Sequence, residues 1–295
     1  MSKILAVGTA VLDFVFEVSA YPRENEEIRA LAQRRCGGGN ARNTLAVLAQ
    51  LGHHCSWAGT VSGDSDGRWL LGDMSSRGIN VDAAILVPDE KCPVSCIAVS
   101  RTRATRTIVH YRELAEFSYD HFCLIDLSPM QWIHFEGRNV LETAKMMRRA
   151  KTICPEIPVS VEIEKPRPDI ESLYADADLL LYSRAFAEAK GYSTADSLFN
   201  AVRRMTQADL ICAWGALGAY SQDCNGHDVF SPASDAVEIV DTLAAGDTFN
   251  AAVIDARLRN YGLADSLDRA CRIASRKIAH VGLDFSAHGD AGNAP

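Results

Sequence analysis

Ile239-Val240-Asp241-Thr242-Leu243-Ala244-Ala245-Gly246-Asp247-Thr248-Phe249-Asn250 is the stretch on which the reading of this chain turns. Its apolar start reads as a strand ending at Asp241, followed by a tight small-residue turn and a helix from near Thr248. Such a turn sits at a helix N-terminus, where unpaired N–H groups and the positive end of the helix dipole favour an anion. Ala244, Ala245 and Gly246 leave the backbone open to a phosphate. Asp247 would repel that phosphate as a direct contact. It suits a base that takes the proton from a hydroxyl attacking it. An Asp that merely caps the helix is the plainer alternative.

The second informative stretch is Cys36-Gly37-Gly38-Gly39-Asn40-Ala41-Arg42-Asn43. Its glycines permit close backbone approach or positive φ, and a helix is expected over Ala41–Leu51, closed by Gly52. Asn40 and Asn43 share one face of the first turn. Amides that both donate and accept suit a polyhydroxylated ligand. A flexible loop before a capped helix is the alternative. The glycine spacing of a dinucleotide-binding fingerprint is absent, which argues against an NAD-type oxidoreductase.

The chain has 295 residues, 47% hydrophobic and 23% charged, enough for a substantial core. A net charge of −8 argues against a nucleic-acid binder. The N-terminus turns polar too early for a signal peptide, and no apolar run approaches the about 18 residues of a membrane span. Nine cysteines, an odd count without CxxC pairs or a zinc set, point to reduced thiols in a cytoplasm.

Taken in order, Ile4–Val7 reads as a buried strand, with Asp13 placed at its exit, where open α/β sheets hold ligands. Phe14–Val18 and Ile28–Arg35 suggest a projecting hairpin. A strand at His53–Val61, a helix at Arg68–Arg77 and a strand at Val81–Val87 follow. Val94–Ser100 and Arg106–Tyr111 form a second strand pair around a basic turn. Arg106 opens its strand and can meet a phosphate bidentately, whereas Arg101 and Arg103 read as solvated turn charges. Strands are then expected at Trp132–Glu136, Val159–Ile163, Leu179–Tyr182 and Leu210–Ala213, with helices at Leu141–Ala150, Asp169–Tyr174 and Thr194–Met205. That alternation implies a mainly parallel, helix-covered sheet. Glu136, Glu162 and Glu164 fall at strand C-terminal ends, as site groups or as loop salt bridges. Trp214-Gly215-Ala216-Leu217-Gly218-Ala219 reads equally as a ledge for a nucleotide or a hairpin turn. Helices are expected at Phe249–Asn260 and Ser266–His280, and the tail Ser286–Pro295 as loose.

Together, GGGNARN and Asp241–Asp247 (DTLAAGD) resemble the ribokinase-like (PfkB) family of carbohydrate kinases, over nearly the whole chain from Ile4 to about Phe285. Trp132–Asn139, Val159–Arg167 and Cys212-Ala213-Trp214 are similar to its ketohexokinase branch. The resemblance implies one α/β domain over 1–295, a three-layer sandwich with a mainly parallel sheet. A small β lid would come from hairpins at about 14–35 and 94–111, with a homodimer formed through it. It further implies that Asp13, Gly39, Asn40 and Asn43 hold sugar hydroxyls, that Arg106 meets sugar and phosphate, and that Asp247 is the base. The amides of Ala244, Ala245 and Gly246 would form the anion hole. Trp214, Gly215, Gly218 and Ala219 would border ATP, with Ala274 and Ile278 near the adenine. The implied cofactors are ATP and Mg²⁺, with K⁺ near Asp241. Two departures stand out: Ala244 where many relatives have Gly, and Ser183-Arg184-Ala185-Phe186 where many carry the Asn-x-x-Glu that orders Mg²⁺-bound water. The expected reaction is phosphorylation of a ketohexose, D-fructose at its 1-hydroxyl. The alternatives are another sugar or nucleoside as acceptor, or a catalytically silent sugar- or nucleotide-binding regulator.

Overall fold

Along β1 (Lys3–Val7), Ile4 and Ala6 point into one apolar cluster while Leu5 and Val7 point into another. A strand with apolar side chains on both faces belongs inside a helix-covered parallel sheet, and β1 is an interior strand, third from one edge, of a nine-stranded one. The computed structural model describes residues 1–100, 105–234 and 238–285. Arg101 and Arg103, in the basic turn, and the tail from Ser286 lie outside the described residues.

The other strands are β2 (Val11–Val18), β3 (Ala32–Gly38), β4 (His54–Ser62), β5 (Ile79–Val87), β6 (Val94–Ser100), β7 (Thr105–Tyr111), β8 (Trp132–Glu136) and β9 (Val159–Ile163). They continue with β10 (Leu179–Ser183), β11 (Asp209–Ala213), β12 (Ala219–Gln222) and β13 (Asp228–Ser231). The helices are α1 (Asn40–Gln50), α2 (Ser65–Ser76), α3 (Tyr119–Phe122), α4 (Val140–Ile153), α5 (Arg184–Ala189), α6 (Ala195–Val202), α7 (Ala245–Leu258) and α8 (Leu263–Ile278). The large sheet runs β13-β12-β11-β10-β9-β8-β1-β4-β5 and is parallel except for β12 and β13. Helices α1, α7 and α8 cover one face, and α4, α5 and α6 cover the other.

The two expected strand pairs merge into a single four-stranded lid, β3-β2-β6-β7, because β2 and β6 pair in parallel between them. Asp13 lies inside β2 rather than at a strand exit, and β3 begins only at Ala32, taking in Gly37 and Gly38. Ile239–Asp241 is not a strand. Its amides find no neighbouring strand and instead turn to α8, Val240 N and Asp241 N both donating to Ile278 O. Helix α7 starts at Ala245, three residues before Thr248. The segment expected as a helix at Asp169–Tyr174 is a 3₁₀ turn, Ile170–Leu173, entered through Asp169 at φ 59°. The run to Met205 splits into α6 and a 3₁₀ turn. Helix α5 and the β12–β13 hairpin have no counterpart in the sequence reading.

Candidate active site

The GGGN loop hands the chain from lid to body, and here the glycines are demanded by the protein's own packing. A Cβ on Gly38 would overlap the Asp13 carboxylate, and one on Gly37 would meet the Arg42 guanidinium. Gly39 caps α1 at φ 98°, and a Cβ there would fall 2.2 Å from Thr9 O. The loop therefore presses Asp13 and the first turn of α1 together. Burial pushes the Asp13 carboxyl up to about 6 against the lowering effects of the Ser95 hydrogen bond, Arg42 and Arg34.

From that first turn the two asparagines diverge. Asn43 Nδ2 donates to Asp247 Oδ2 at 2.8 Å, while Asn40 Nδ2 donates to Glu164 Oε2 at 3.2 Å. Asn43 is itself oriented by Arg42, whose Nη1 donates to Asn43 Oδ1 at 3.1 Å while its other nitrogen pairs with Asp73. Arg42 is wholly buried, and its place within GGGNARN was the available signal for this role. Asp247 sits in the first turn of α7 and is almost fully buried. Burial raises its carboxyl above the usual range, and the Glu164 and Glu136 charges add to this against Asn43 and Arg106. The site thus contains a carboxylate with one fixed neutral donor and a raised proton affinity, as a general base requires.

Around it stands an acidic wall made of the glutamates expected at the strand C-terminal ends. Glu136, at the end of β8, accepts from Thr9 N at 2.8 Å and pairs with Arg138 at 3.3 Å. Glu162, on β9, is driven well above the ordinary carboxylate range by burial and by Asp247, Glu164 and Glu136 against Asn40, and its buried Oε2 has no hydrogen-bond partner among the described residues. Among the described residues no three His, Cys, Asp or Glu side chains converge on one ion position. Glu136, Glu162 and Glu164 are hard oxygen donors of the kind that fit the water shell of a hydrated Mg²⁺. The stretch at Ser183 does a helix cap's work: its Oγ accepts from Phe186 N at 3.0 Å and donates to Glu164 O at 2.7 Å.

The phosphate turn departs from expectation in detail. Ala244 is the N-cap of α7 in the left-handed region, φ 59°, and Ala245 N already donates, at 3.3 Å, to Thr242 O. Gly246 is exposed, with open space where a Cβ would lie. The extra methyl of Ala244 therefore costs backbone strain rather than room. A left-handed alanine carries roughly 1–2 kcal/mol, and glycine's larger unfolded entropy returns part of that. Ala244→Gly is expected to raise the thermal midpoint by about 2 °C, as calorimetry can establish.

Arg106, at the start of β7, reaches from the lid to the same turn, Nη1 lying 3.1 Å from Thr242 Oγ1. Asp241 does not fit the K⁺ role. Its Oδ2 takes Arg34 Nη2 at 2.7 Å and Gly282 N at 3.0 Å, its Oδ1 takes Leu243 N at 2.9 Å, and Lys277 Nζ stands 3.4 Å from Oδ2. Two cationic side chains already occupy this carboxylate. The nucleotide ledge is also narrower than expected. Trp214, Gly218 and Ala219 are buried in the β11–β12 hairpin, Trp214 edge-on to Tyr220, and a Cβ on Gly218 would strike Ser231 O at 2.1 Å. Only Gly215–Leu217 stands exposed, while α8, which carries the half-buried Ala274 and Ile278, packs against the β12–β13 hairpin.

Residues 1–288 match the profile of the pfkB family carbohydrate kinases. The ketohexokinase of Mus musculus is 35% identical over 291 residues, covering 96% of this chain and 98% of that protein. A nucleoside kinase of Methanothermobacter thermautotrophicus is 31% identical over 94 residues, 32% of this chain and 30% of its own. The structure of Arabidopsis thaliana ribokinase complexed with ribose and ATP superposes with a TM-score of 0.75 at 19% identity, covering 95% of this chain and 94% of that one. That likeness concerns the fold.

Proposed function

The chain belongs to the PfkB family of carbohydrate kinases, and from that premise we propose that it transfers the γ-phosphoryl group of ATP to a ketohexose, D-fructose at its 1-hydroxyl. The carrying observation is Asp247, held by Asn43 at 2.8 Å, buried and raised in proton affinity at the foot of an open helix N-terminus. In this reading Asp13, Gly39, Asn40 and Asn43 hold the sugar, and Asp247 removes the proton of the attacking hydroxyl. Arg106 reaches the transferred group from the lid. The 244–246 backbone, Gly246 above all, meets the phosphate charge at the positive end of α7. ATP lies along Gly215–Leu217 toward Ala274 and Ile278. Glu136, Glu162 and Glu164 would hold the water shell of a Mg²⁺ that enters with the nucleotide, and the ion would supply charge that offsets the phosphates. The lid, which carries Asp13 on β2, would cover the sugar and exclude water, strengthening each of these interactions.

The ketohexose assignment is supported by the 35% identity to the mouse ketohexokinase over almost its full length. A nucleoside acceptor is the second reading, favoured by the shorter match to a nucleoside kinase. A homodimer through the lid is supported by the edge strand β7, which leaves Ile108 exposed on one face and Val109 and Tyr111 exposed on the other. A cytoplasmic setting is supported by nine cysteines that are all free. Among the described residues no helix is long and apolar enough to cross a membrane.

The test is ADP release with Mg-ATP across ketoses, aldoses and nucleosides, with the product's phosphate located by NMR. Fructose is expected to turn over best, with phosphate on the 1-oxygen. Preference for a nucleoside would replace the acceptor while keeping Asp247 in its role.

A further inference from the structure

Asp241 is tied to four separate parts of the molecule. Its carbonyl accepts from Lys277 Nζ at 2.7 Å, on α8, and its own N–H donates to Ile278 O at 3.0 Å. Its Oδ1 fixes Leu243 N, immediately before the phosphate turn, at 2.9 Å. Its Oδ2 takes Gly282 N, in the turn after α8, and the Arg34 guanidinium, which comes from the lid strand β3. Lys277 is wholly buried, so its ammonium is a fixed charge beneath the turn, whereas Arg34 is about one-third exposed and sits on the element that covers the site. Burial alone would raise Asp241, yet the Gly282 and Leu243 amides with Lys277 and Arg34 hold it below the usual carboxylate range, so it stays ionised.

Strand β3 supplies the rest of the connection. Gly38, at its far end, lies against the Asp13 carboxylate on the sugar side. Arg34, four positions earlier on the same strand, lies on Asp241 on the phosphate side. One rigid lid strand therefore touches both halves of the proposed reaction. We propose that Arg34 is a positioning residue that, acting through Asp241 and against the fixed ammonium of Lys277, sets the phosphate turn when the lid covers the sugar. This rests on the kinase reading above. The physical basis is that a charge-assisted hydrogen bond to a buried carboxylate fixes that carboxylate's rotamer, and with it the Leu243 amide it holds. Misplacing a phosphate-binding backbone by a fraction of an ångström weakens the transition state more than the ground state.

The experiment is a double-mutant cycle on kcat with Arg34→Met and Asp241→Asn, alongside Arg34→Lys. Arg34→Met is expected to lower kcat about tenfold while the KM values for sugar and ATP stay within about twofold. Arg34→Lys should recover most of the loss. On the Asp241→Asn background, Arg34→Met should cost little more, because its effect passes through that carboxylate. Affinity for ADP with aluminium fluoride and sugar, a mimic of the transferring phosphoryl group, should fall by the same factor, with ADP affinity alone unchanged. A kcat for Arg34→Met within twofold of wild type overturns the proposal, as does a loss that persists undiminished on the Asp241→Asn background. If Arg34→Met fails to unfold cooperatively, Arg34→Gln takes its place in the same cycle. Absence of turnover in the wild type with every acceptor would strike the kinase reading instead.

Discussion

Asp247→Asn is expected to lower kcat by about 10²–10⁴ while leaving ATP affinity close to that of the wild type. Asparagine keeps the shape and can still accept from Asn43 Nδ2, so the 2.8 Å contact and the first turn of α7 survive. What is lost is the ability to take a proton. The wild type carries a further signature. Asp247 is raised above its ordinary value of 3.8, first by burial and then by the Glu164 and Glu136 charges. A base works only when ionised, so kcat/KM should fall as pH drops through that raised value, on a limb lying above the usual carboxylate range. In Asp247→Asn the limb should vanish together with the rate. Near-wild-type turnover in a folded Asp247→Asn protein, or a limb that outlives the substitution, would take the base role away from Asp247.

The parts of this site that were legible in the sequence are those the backbone enforces locally. The turn at Ala244–Asp247 could be recognised because small residues followed by a helical run place free amides at a helix start wherever they occur. Gly37–Asn43 was legible for the same reason, although nothing nearby in sequence announced that its glycines also make room for Asp13, Arg42 and Thr9. Buried strands such as Trp132–Glu136 and Val159–Ile163 stood out as short apolar runs with the residue limits observed. The Asp241 junction was not legible, because Arg34 is 207 positions away and nothing near Asp241 announces a guanidinium partner. Ile239–Asp241 has the composition of a strand, and only the absence of a neighbouring ladder sends its amides to Ile278. Glu162 could be placed at the correct edge of the sheet, yet its buried, unpartnered oxygen depends on how β8, β9 and α7 meet.

Asp255→Ala is expected to cost about 3–5 kcal/mol of stability while leaving the proposed catalytic groups in place. Asp255 lies in the C-terminal half of α7, wholly buried, and it ties down the helix that carries Asp247 at its other end. His53 Nε2 lies 2.9 Å from its Oδ1, Arg259 Nε 2.7 Å from the same oxygen, and Arg269 Nη2 2.7 Å from Oδ2. These partners come from the loop before β4, the end of α7 and α8, so one carboxylate joins three segments. Removing it strands the almost buried His53 and leaves Arg269 facing an apolar gap. Burial alone would raise the Asp255 carboxyl, but the hydrogen bonds from His53, Arg259 and Arg269 outweigh it and hold the group down at about 2. A depressed folded value means that the stabilisation is complete above the unfolded value of 3.8 and is lost as pH falls toward 2. The difference corresponds to about 2 kcal/mol. Urea unfolding of wild type and Asp255→Ala should therefore show a wide gap at neutral pH that narrows by roughly that amount in acid. A gap that is small at neutral pH, or that does not narrow on acidification, would mean that the ion-pair cluster does not pin α7. In that case the helix would owe its position to the apolar contacts of Ala251, Val253 and Ile254 alone.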